Sequence, residues 1–320
     1  MKILNKWNRK NVILTSMIML ASILSQNTLA GNKAEESFLY FQRKNLLAKD
    51  FGLTSKQIAL TFDDGPGPTT VSLLKVLLAN RIPATFFMIG NSIKAYPTVA
   101  KEAFEIISDN PDLFSLGNHS STHNDFYKLD NAQLGNELVV THKLLQEHNV
   151  KEYTFFRAPY GNFLSRMADL YNNDNMFSTI ASEYVGPVYW DIGGFYDKKF
   201  SKGAYWGDWS CWTKAWKAKV KAAGLDPIKV CNDGHYNEIT KVANDPKRTS
   251  GIILLVHDFH ISTVKMFIGS TVIAEDGSVE SEDPKALLYR LKALQSEGYS
   301  FVPLDQNPEK IQELLEMPKI

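Results

Sequence analysis

The sequence predicts an α/β fold in which parallel strands alternate with helices to form a sheet or a barrel. Short apolar, β-rich runs alternate with helical periodicity along most of the chain. The length of 320 residues suits one large domain of this class. Polar residues directly follow several apolar strands, at the edge where such folds bind ligands. A formal net charge of zero does not favour nucleic acid as a partner.

The first thirty residues have the composition of a secretory signal peptide. Four basic residues precede an apolar run over residues 12–24, and Thr28-Leu29-Ala30 forms a small-residue cleavage pattern. An uncleaved membrane anchor is the alternative, but the run is shorter than the roughly 20 residues of a membrane span. We therefore expect a secreted or periplasmic protein with no stable membrane span after cleavage.

The first strand–turn–helix unit is the clearest. Residues 58–62 are apolar and end at Asp63-Asp64-Gly65-Pro66, a strong turn signal. Leucines at 73, 74, 77 and 78 then share one helical face. By the same criteria, further strands are predicted at 84–89, 113–117, 154–156, 188–190, 252–256 and 300–304, and helices at 98–107, 131–148 and 284–294.

The remaining segments fit the repeating pattern less well. Residues 193–250 contain both cysteines and four tryptophans, and we interpret them as an inserted cap between core strands. In an exported protein Cys211 and Cys231 are expected to pair, the alternative being two separate buried thiols. Residues 270–283 are predicted to form a surface loop. The domain is expected to cover 57–306, after an N-terminal extension at 31–56 and before a C-terminal tail at 307–320.

Polar residues at the strand ends are expected to converge on one rim of the fold. They are Asp63, Asp64, Arg157, Asp191, His257 and Asp258. Successive strand side chains alternate, so Asp63 and Asp64 are expected to point in different directions, one towards a cation and one towards substrate.

Two histidines four residues apart predict a metal site. On one helical turn, His119 and His123 would share a face, and with a carboxylate they would make the three-ligand arrangement of catalytic zinc. Coincidence is the alternative for an isolated pair. The other histidines show no such pattern: His142 and His148 are expected to be solvated on a helix, and His235 and His260 have no clear role.

Four ordered motifs give these residues a family context. They are Thr61-Phe62-Asp63-Asp64-Gly65-Pro66, His119-Ser120-Ser121-Thr122-His123, Arg157-Ala158-Pro159-Tyr160 and Leu255-Val256-His257-Asp258. In this order they resemble the motifs of the polysaccharide deacetylase family, carbohydrate esterase family 4, over residues 57–304. The resemblance implies a deformed (β/α) barrel of the polysaccharide deacetylase type.

The resemblance also implies a role for each residue. Asp64, His119 and His123 would bind one divalent ion, with zinc expected. Asp63 would be the general base, oriented by Arg157, and His257 the general acid. The backbone N–H of Tyr160 would help to stabilise the oxyanion, and Pro159 would contact substrate.

The fourth motif departs from the family pattern. Trp190-Asp191 is separated from Asp208-Trp209 by part of the inserted cap. By resemblance, Asp208 would tune His257 and Trp209 would line the groove, where its ring could stack on a sugar. Asp191 is the competing candidate for the first role. The other tryptophans of the cap, Trp206, Trp212 and Trp216, are expected to pack within it.

The implied activity is metal-assisted removal of N-acetyl groups from N-acetylglucosamine residues of an extracytoplasmic polysaccharide. Peptidoglycan is the first choice, followed by chitin, chitooligosaccharides or another poly-N-acetylglucosamine. Some relatives that act on muramic acid residues lack the carboxylate present here at Asp64. Two alternatives are an inactive carbohydrate-binding relative and a glycosidase that uses Asp63 with a distant carboxylate.

Overall fold

A computed structural model describes residues 46–148, 154–162, 180, 183–200 and 202–316. The signal peptide predicted at 1–30 lies outside these residues. Within the described ranges, no helix combines the length and apolar character needed to cross a bilayer.

Seven parallel strands form the main sheet. They are β1 (Gln57–Gly65), β2 (Ala84–Met88), β3 (Phe114–Asn118), β4 (Thr154–Phe156), β5 (Tyr184–Val185), β8 (Ile252–His257) and β11 (Ser300–Phe301). Strand β1 pairs with β2 and β8 along its length and with β11 at its first residues, and β3, β4 and β5 follow β2. The predicted parallel α/β class is confirmed.

Single-residue bridges continue the sheet towards a barrel. Val188 forms a parallel bridge with Leu46, and Ile192 forms one with Leu254 of β8. Residues 188–192 therefore continue the pairing without forming a regular strand. The strand predicted at 188–190 was wrong, because only Val188 in it makes a ladder contact. The sheet is irregular on this side.

Alternation along β1 separates the packing layer from the barrel interior. Ile58, Leu60 and Phe62 belong to the large core beneath the helices. Thr61 and Asp63 face the other side and are buried. The strand thus carries a polar inner face that ends at the carboxyl edge of the sheet.

Helices surround the strands. They are α1 (Thr70–Ala79), α2 (Gly90–Ala95), α3 (Pro97–Asp109), α4 (Asn131–Glu147), α5 (Lys214–Ala222), α6 (Pro227–Ala243), α7 (Ile261–Ile268), α8 (Leu287–Ala293) and α9 (Pro308–Glu316). A second apolar cluster joins Leu46, Phe51 and Phe155 to Leu314 of α9. Residues 46–56 of the predicted extension and 307–316 of the predicted tail therefore pack onto the domain. The exact bounds of the domain remain a prediction.

The inserted cap folds into a compact unit. It contains the antiparallel hairpin β6 (Gly194–Asp197) and β7 (Ala204–Gly207), a 3₁₀ turn over Asp208–Trp212, and helices α5 and α6. The predicted pairing of Cys211 with Cys231 is confirmed by a disulfide that joins the 3₁₀ turn to α6.

Residues 270–283 lie largely at the surface, as predicted, but they include a small antiparallel hairpin, β9 (Val272–Ile273) with β10 (Val279–Ser281). One further prediction was wrong. His142 is buried, not solvated, because its Nδ1 lies 2.9 Å from the Tyr184 hydroxyl beneath α4.

Candidate active site

The predicted strand-end residues meet at a cavity of about 490 Å³ above the carboxyl edge of the sheet. Its lining consists of Asp63, Asp64, His119, His123, Tyr160, Trp190, Gly193, Tyr205, Gly207, Trp209, Leu255, His257 and His260. Residues from the first strand, the histidine loop, the cap and β8 thus share one space. The sheet brings together side chains that are nearly 200 positions apart in sequence.

A β-bulge turns Asp63 and Asp64 towards the same histidine. The register between β1 and β2 shifts between Asp63 and Gly65, and Asp64 has a φ of 76°. As a result, Asp63 Oδ2 and Asp64 Oδ1 each lie 3.5 Å from His119 Nε2. The bulge interrupts the pleat, so alternation does not keep the two carboxylates apart, whereas their separate roles stay a prediction.

The histidine pair sits on an irregular loop, not on the predicted helical turn. Ser120 and His123 have φ values of 72° and 58°, which no helix accommodates. Glu137 of α4 fixes the loop because its carboxylate accepts from the backbone N–H groups of Ser121 and Thr122, at 2.9 and 2.8 Å. The two imidazoles therefore converge through loop geometry instead of helical spacing.

Asp64, His119 and His123 are placed to hold one metal ion. Asp64 Oδ1 lies 3.5 Å from His119 Nε2 and 3.2 Å from His123 Nε2. Two ligands of a tetrahedral zinc are about 3.3 Å apart, given bonds of roughly 2.0–2.1 Å. Among the described residues, Asp64 Oδ1 is a buried oxygen without a hydrogen-bond partner, as expected for a ligand atom.

The outer nitrogen of His119 supports the same assignment. Its Nδ1 lies 2.8 Å from the carbonyl oxygen of Arg157, which can only accept, so Nδ1 carries the proton and Nε2 offers its lone pair to the site. Burial lowers the pKa of His119 despite the two nearby carboxylates, which favours the neutral, ligating ring. The donor set suits zinc and other divalent ions of similar preference.

Arg157 holds Asp63 in a buried ion pair. Its Nη1 donates to Asp63 Oδ1 at 2.7 Å and to Thr61 Oγ1 at 2.8 Å. The rest of the guanidinium donates to the carbonyl oxygens of Val188 and Tyr189. One carboxylate oxygen of Asp63 is thus fixed, and the other faces the cavity.

Asp208 from the cap contacts His257 twice. Its Oδ1 lies 2.7 Å from His257 Nδ1, and its Oδ2 accepts from the His257 backbone N–H at 2.8 Å. Burial by itself lowers the pKa of His257, but the charge and hydrogen bond of Asp208 outweigh it and raise the pKa to about 10. The ring is therefore protonated at neutral pH.

Asp191, the competing candidate, has other partners. It pairs with Arg248 at 2.6 Å and accepts from the backbone N–H of Ile253 at 2.9 Å. Through these two contacts, Asp191 anchors the segment beside β8. Of the two aspartates, only Asp208 has a hydrogen bond to His257 among the described residues.

The predicted substrate contacts differ in exposure. Trp209 and Tyr160 are exposed at the cavity wall, and the left-handed φ of 59° at Tyr160 turns the chain beside His123. Pro159 is buried and is not among the lining residues. The catalytic and binding roles of all these residues remain predictions.

Several site residues were not identified from sequence. His260 and Tyr205 line the cavity, Thr61 supports Arg157, and Glu137 shapes the histidine loop. His260 follows His257 by three positions in the loop after β8, and this proximity could have indicated that it lies at the same rim. Tyr205 had no such signal, because its placement depends on how the cap folds.

Comparison with known proteins supports these observations. The sequence profile of the polysaccharide deacetylase family matches residues 52–176. The chain is 26% identical over 255 residues to the peptidoglycan-N-acetylglucosamine deacetylase PgdA of Listeria monocytogenes, covering 79% of this chain but only 39% of that protein's length. It is 27% identical over 252 residues to a peptidoglycan-N-acetylglucosamine deacetylase of Bacillus cereus, with 78% and 87% covered.

A further relative is named for a different substrate, and a similar structure has been solved. A chitooligosaccharide deacetylase of Bradyrhizobium is 23% identical over 254 residues, with 79% of this chain and 90% of that protein covered. A family 4 carbohydrate esterase structure from Bacillus anthracis superposes with a TM-score of 0.47 at 22% identity, covering 81% and 86%. The profile match shows that residues 52–176 are similar to the polysaccharide deacetylase family, and the sequence relatives extend this similarity over about four fifths of the chain.

Proposed function

We propose that this chain is an exported, metal-dependent N-deacetylase of an N-acetylglucosamine polymer, with peptidoglycan as the first candidate substrate. The observation that carries the proposal is the meeting of three units in one cavity. They are the Asp64–His119–His123 ligand set, the Arg157-bound Asp63 and the Asp208-bound His257. The three units would polarise the carbonyl, accept a proton and donate a proton, which are the three requirements of amide hydrolysis.

A divalent ion bound by the ligand set would polarise the acetyl carbonyl and make water more acidic. Asp63 would accept the proton of the attacking water through the oxygen that Arg157 leaves free. The hydrogen bond of 2.7 Å between Oδ1 and Arg157 supports this role, because it leaves Oδ2 for the cavity.

His257 would donate the proton that the departing amine requires. Its Nδ1 is engaged by Asp208, so the proton available to the cavity is on Nε2. Asp208 keeps the ring protonated at neutral pH, and the backbone N–H of Tyr160 is proposed as a donor to the oxyanion. Acid and base thus come from different strands on the same rim.

Substrate and location rest on separate observations. The names of the Listeria and Bacillus cereus relatives support peptidoglycan, and the Bradyrhizobium relative supports chitooligosaccharides as the alternative. The disulfide supports an oxidising, extracytoplasmic compartment, in agreement with the predicted signal peptide.

The test is acetate release from purified peptidoglycan and from chitooligosaccharides, with and without a chelator. The Asp63→Asn variant is the matched control, because the amide keeps the shape of the side chain and an oxygen for Arg157 but cannot act as a base. We expect metal-dependent acetate release that the variant loses. Chain cleavage without metal would indicate a glycosidase, and tight sugar binding without any acetate would indicate a non-catalytic binding protein.

A further inference from the structure

The cap hairpin carries two exposed tyrosines on its outer face. Tyr196 of β6 lies directly opposite Tyr205 of β7, with ring centroids 5.1 Å apart in an edge-to-face arrangement. Their exposed fractions are 58% and 46%, large for aromatic rings. We call this pair the tyrosine platform.

The inner face of the hairpin is built to keep the platform rigid. Phe195 is buried with its ring 5.1 Å from that of His235 on α6. Asp197 is also buried, and it accepts from the indole N–H of Trp216 at 2.9 Å. Alternation then requires Tyr196 to point outwards.

The platform is continuous with the catalytic cavity. Tyr205 lines that cavity together with Trp209. Its hydroxyl oxygen accepts from the backbone N–H of Gly193 at 3.1 Å, which fixes the ring at the cavity wall. A Cβ at Gly207 would lie 2.7 Å from the Trp209 indole nitrogen, so glycine permits that ring to lie close against the hairpin. Aromatic surface thus runs from the cavity outwards to Tyr196.

We propose that the tyrosine platform is a second sugar-binding subsite, which holds a further N-acetylglucosamine unit of a polymer whose neighbouring portion occupies the catalytic cavity. The proposal rests on the proposed function and adds that the cap selects long chains. Flat aromatic rings bind the apolar faces of pyranose units, and their hydroxyls offer hydrogen bonds to the sugar rim. Two rings are too small a surface for a stable protein partner, which needs about 1,000 Å² of buried area.

The test compares binding of a short and a long ligand. Chitobiose and chitohexaose are titrated calorimetrically into the full mature chain carrying Asp63→Asn, which prevents turnover. We expect Tyr196→Ala to weaken chitohexaose binding about 3- to 10-fold, the value of one aromatic contact. Chitobiose binding should not change. Tyr196→Phe is the matched control, because it keeps the ring and should retain most of the affinity.

The outcomes separate the subsite from the reaction. An equal loss for both oligosaccharides, or no loss for either, would overturn the subsite. If Tyr196→Ala abolishes the preference for the longer ligand, the subsite is supported. This holds even if the chain with native Asp63 releases no acetate, because that result would overturn only the proposed function. Thermal unfolding of each variant checks that the hairpin remains folded.

Discussion

Replacing Asp208 with asparagine should move the alkaline limit of activity. Both Asp208 oxygens contact His257, and the carboxylate is fully buried. The difference between a His257 pKa of about 10 and the ordinary value of 6.5 corresponds to about 5 kcal/mol of preference for the protonated ring. Asparagine keeps the shape but removes the charge.

Without that charge, burial lowers the pKa of His257 and only the smaller effects of Asp64 and Asp63 oppose it, so the pKa falls. The protonated fraction of His257 at a mildly alkaline pH would therefore be smaller than in the native chain. The folded-state pKa lies above the unfolded value, so the pair stabilises the fold fully below about pH 6.5. That stabilisation is lost as the pH rises through about 10.

The assay is the pH profile of kcat/KM for acetate release from a chitooligosaccharide. The native chain should keep activity up to about pH 10, and the alkaline limit of Asp208→Asn should lie at a clearly lower pH. Asp191→Asn is the matched control, because it removes an equally engaged carboxylate that pairs with Arg248 instead. An alkaline limit that stays in place in Asp208→Asn would refute the assignment of His257 as the acid.

Three further predictions test the surroundings of the site. Arg157→Met should destabilise the fold by about 3–5 kcal/mol in urea unfolding, since it leaves Asp63 buried without its cation; a loss below about 1 kcal/mol would contradict a tight pair. Removing the disulfide with Cys211→Ala and Cys231→Ala should cost about 3 kcal/mol for its loop of roughly 20 residues, and unchanged thermal unfolding would contradict this. Zinc at 100 times its Kd should stabilise the native chain by about 2.7 kcal/mol, and Asp64→Asn should abolish the shift; an equal shift in the variant would place the ion elsewhere.

The sequence was most informative where short motifs follow apolar strands. Residues 58–62 form an apolar run ended by a turn, and the parallel arrangement followed from its repetition along the chain. The ordered motifs around Asp63, His119, Arg157 and His257 indicated which polar residues belong together. Their convergence needed only the rule that parallel strands end at one rim.

Local periodicity failed where the backbone is irregular. The bulge after Asp63 and the positive φ values at Ser120 and His123 depend on pairing with β2 and on the Glu137 carboxylate of α4. These partners are distant in sequence, so no local spacing could reveal them. The residues predicted as ligands therefore lie together, but on a different backbone geometry.

The choice between Asp191 and Asp208 also required the tertiary structure. Both follow aromatic segments of similar character, and the sequence gives no distance to His257. The fold of the cap, held by its disulfide, places Asp208 beneath His257, whereas Asp191 pairs with Arg248. The fold class, the family resemblance and the candidate ligands could be predicted from sequence, because they depend on local composition and motif order. Which carboxylate reaches His257, and that Tyr205 lines the cavity, could not, because packing between distant segments sets those distances.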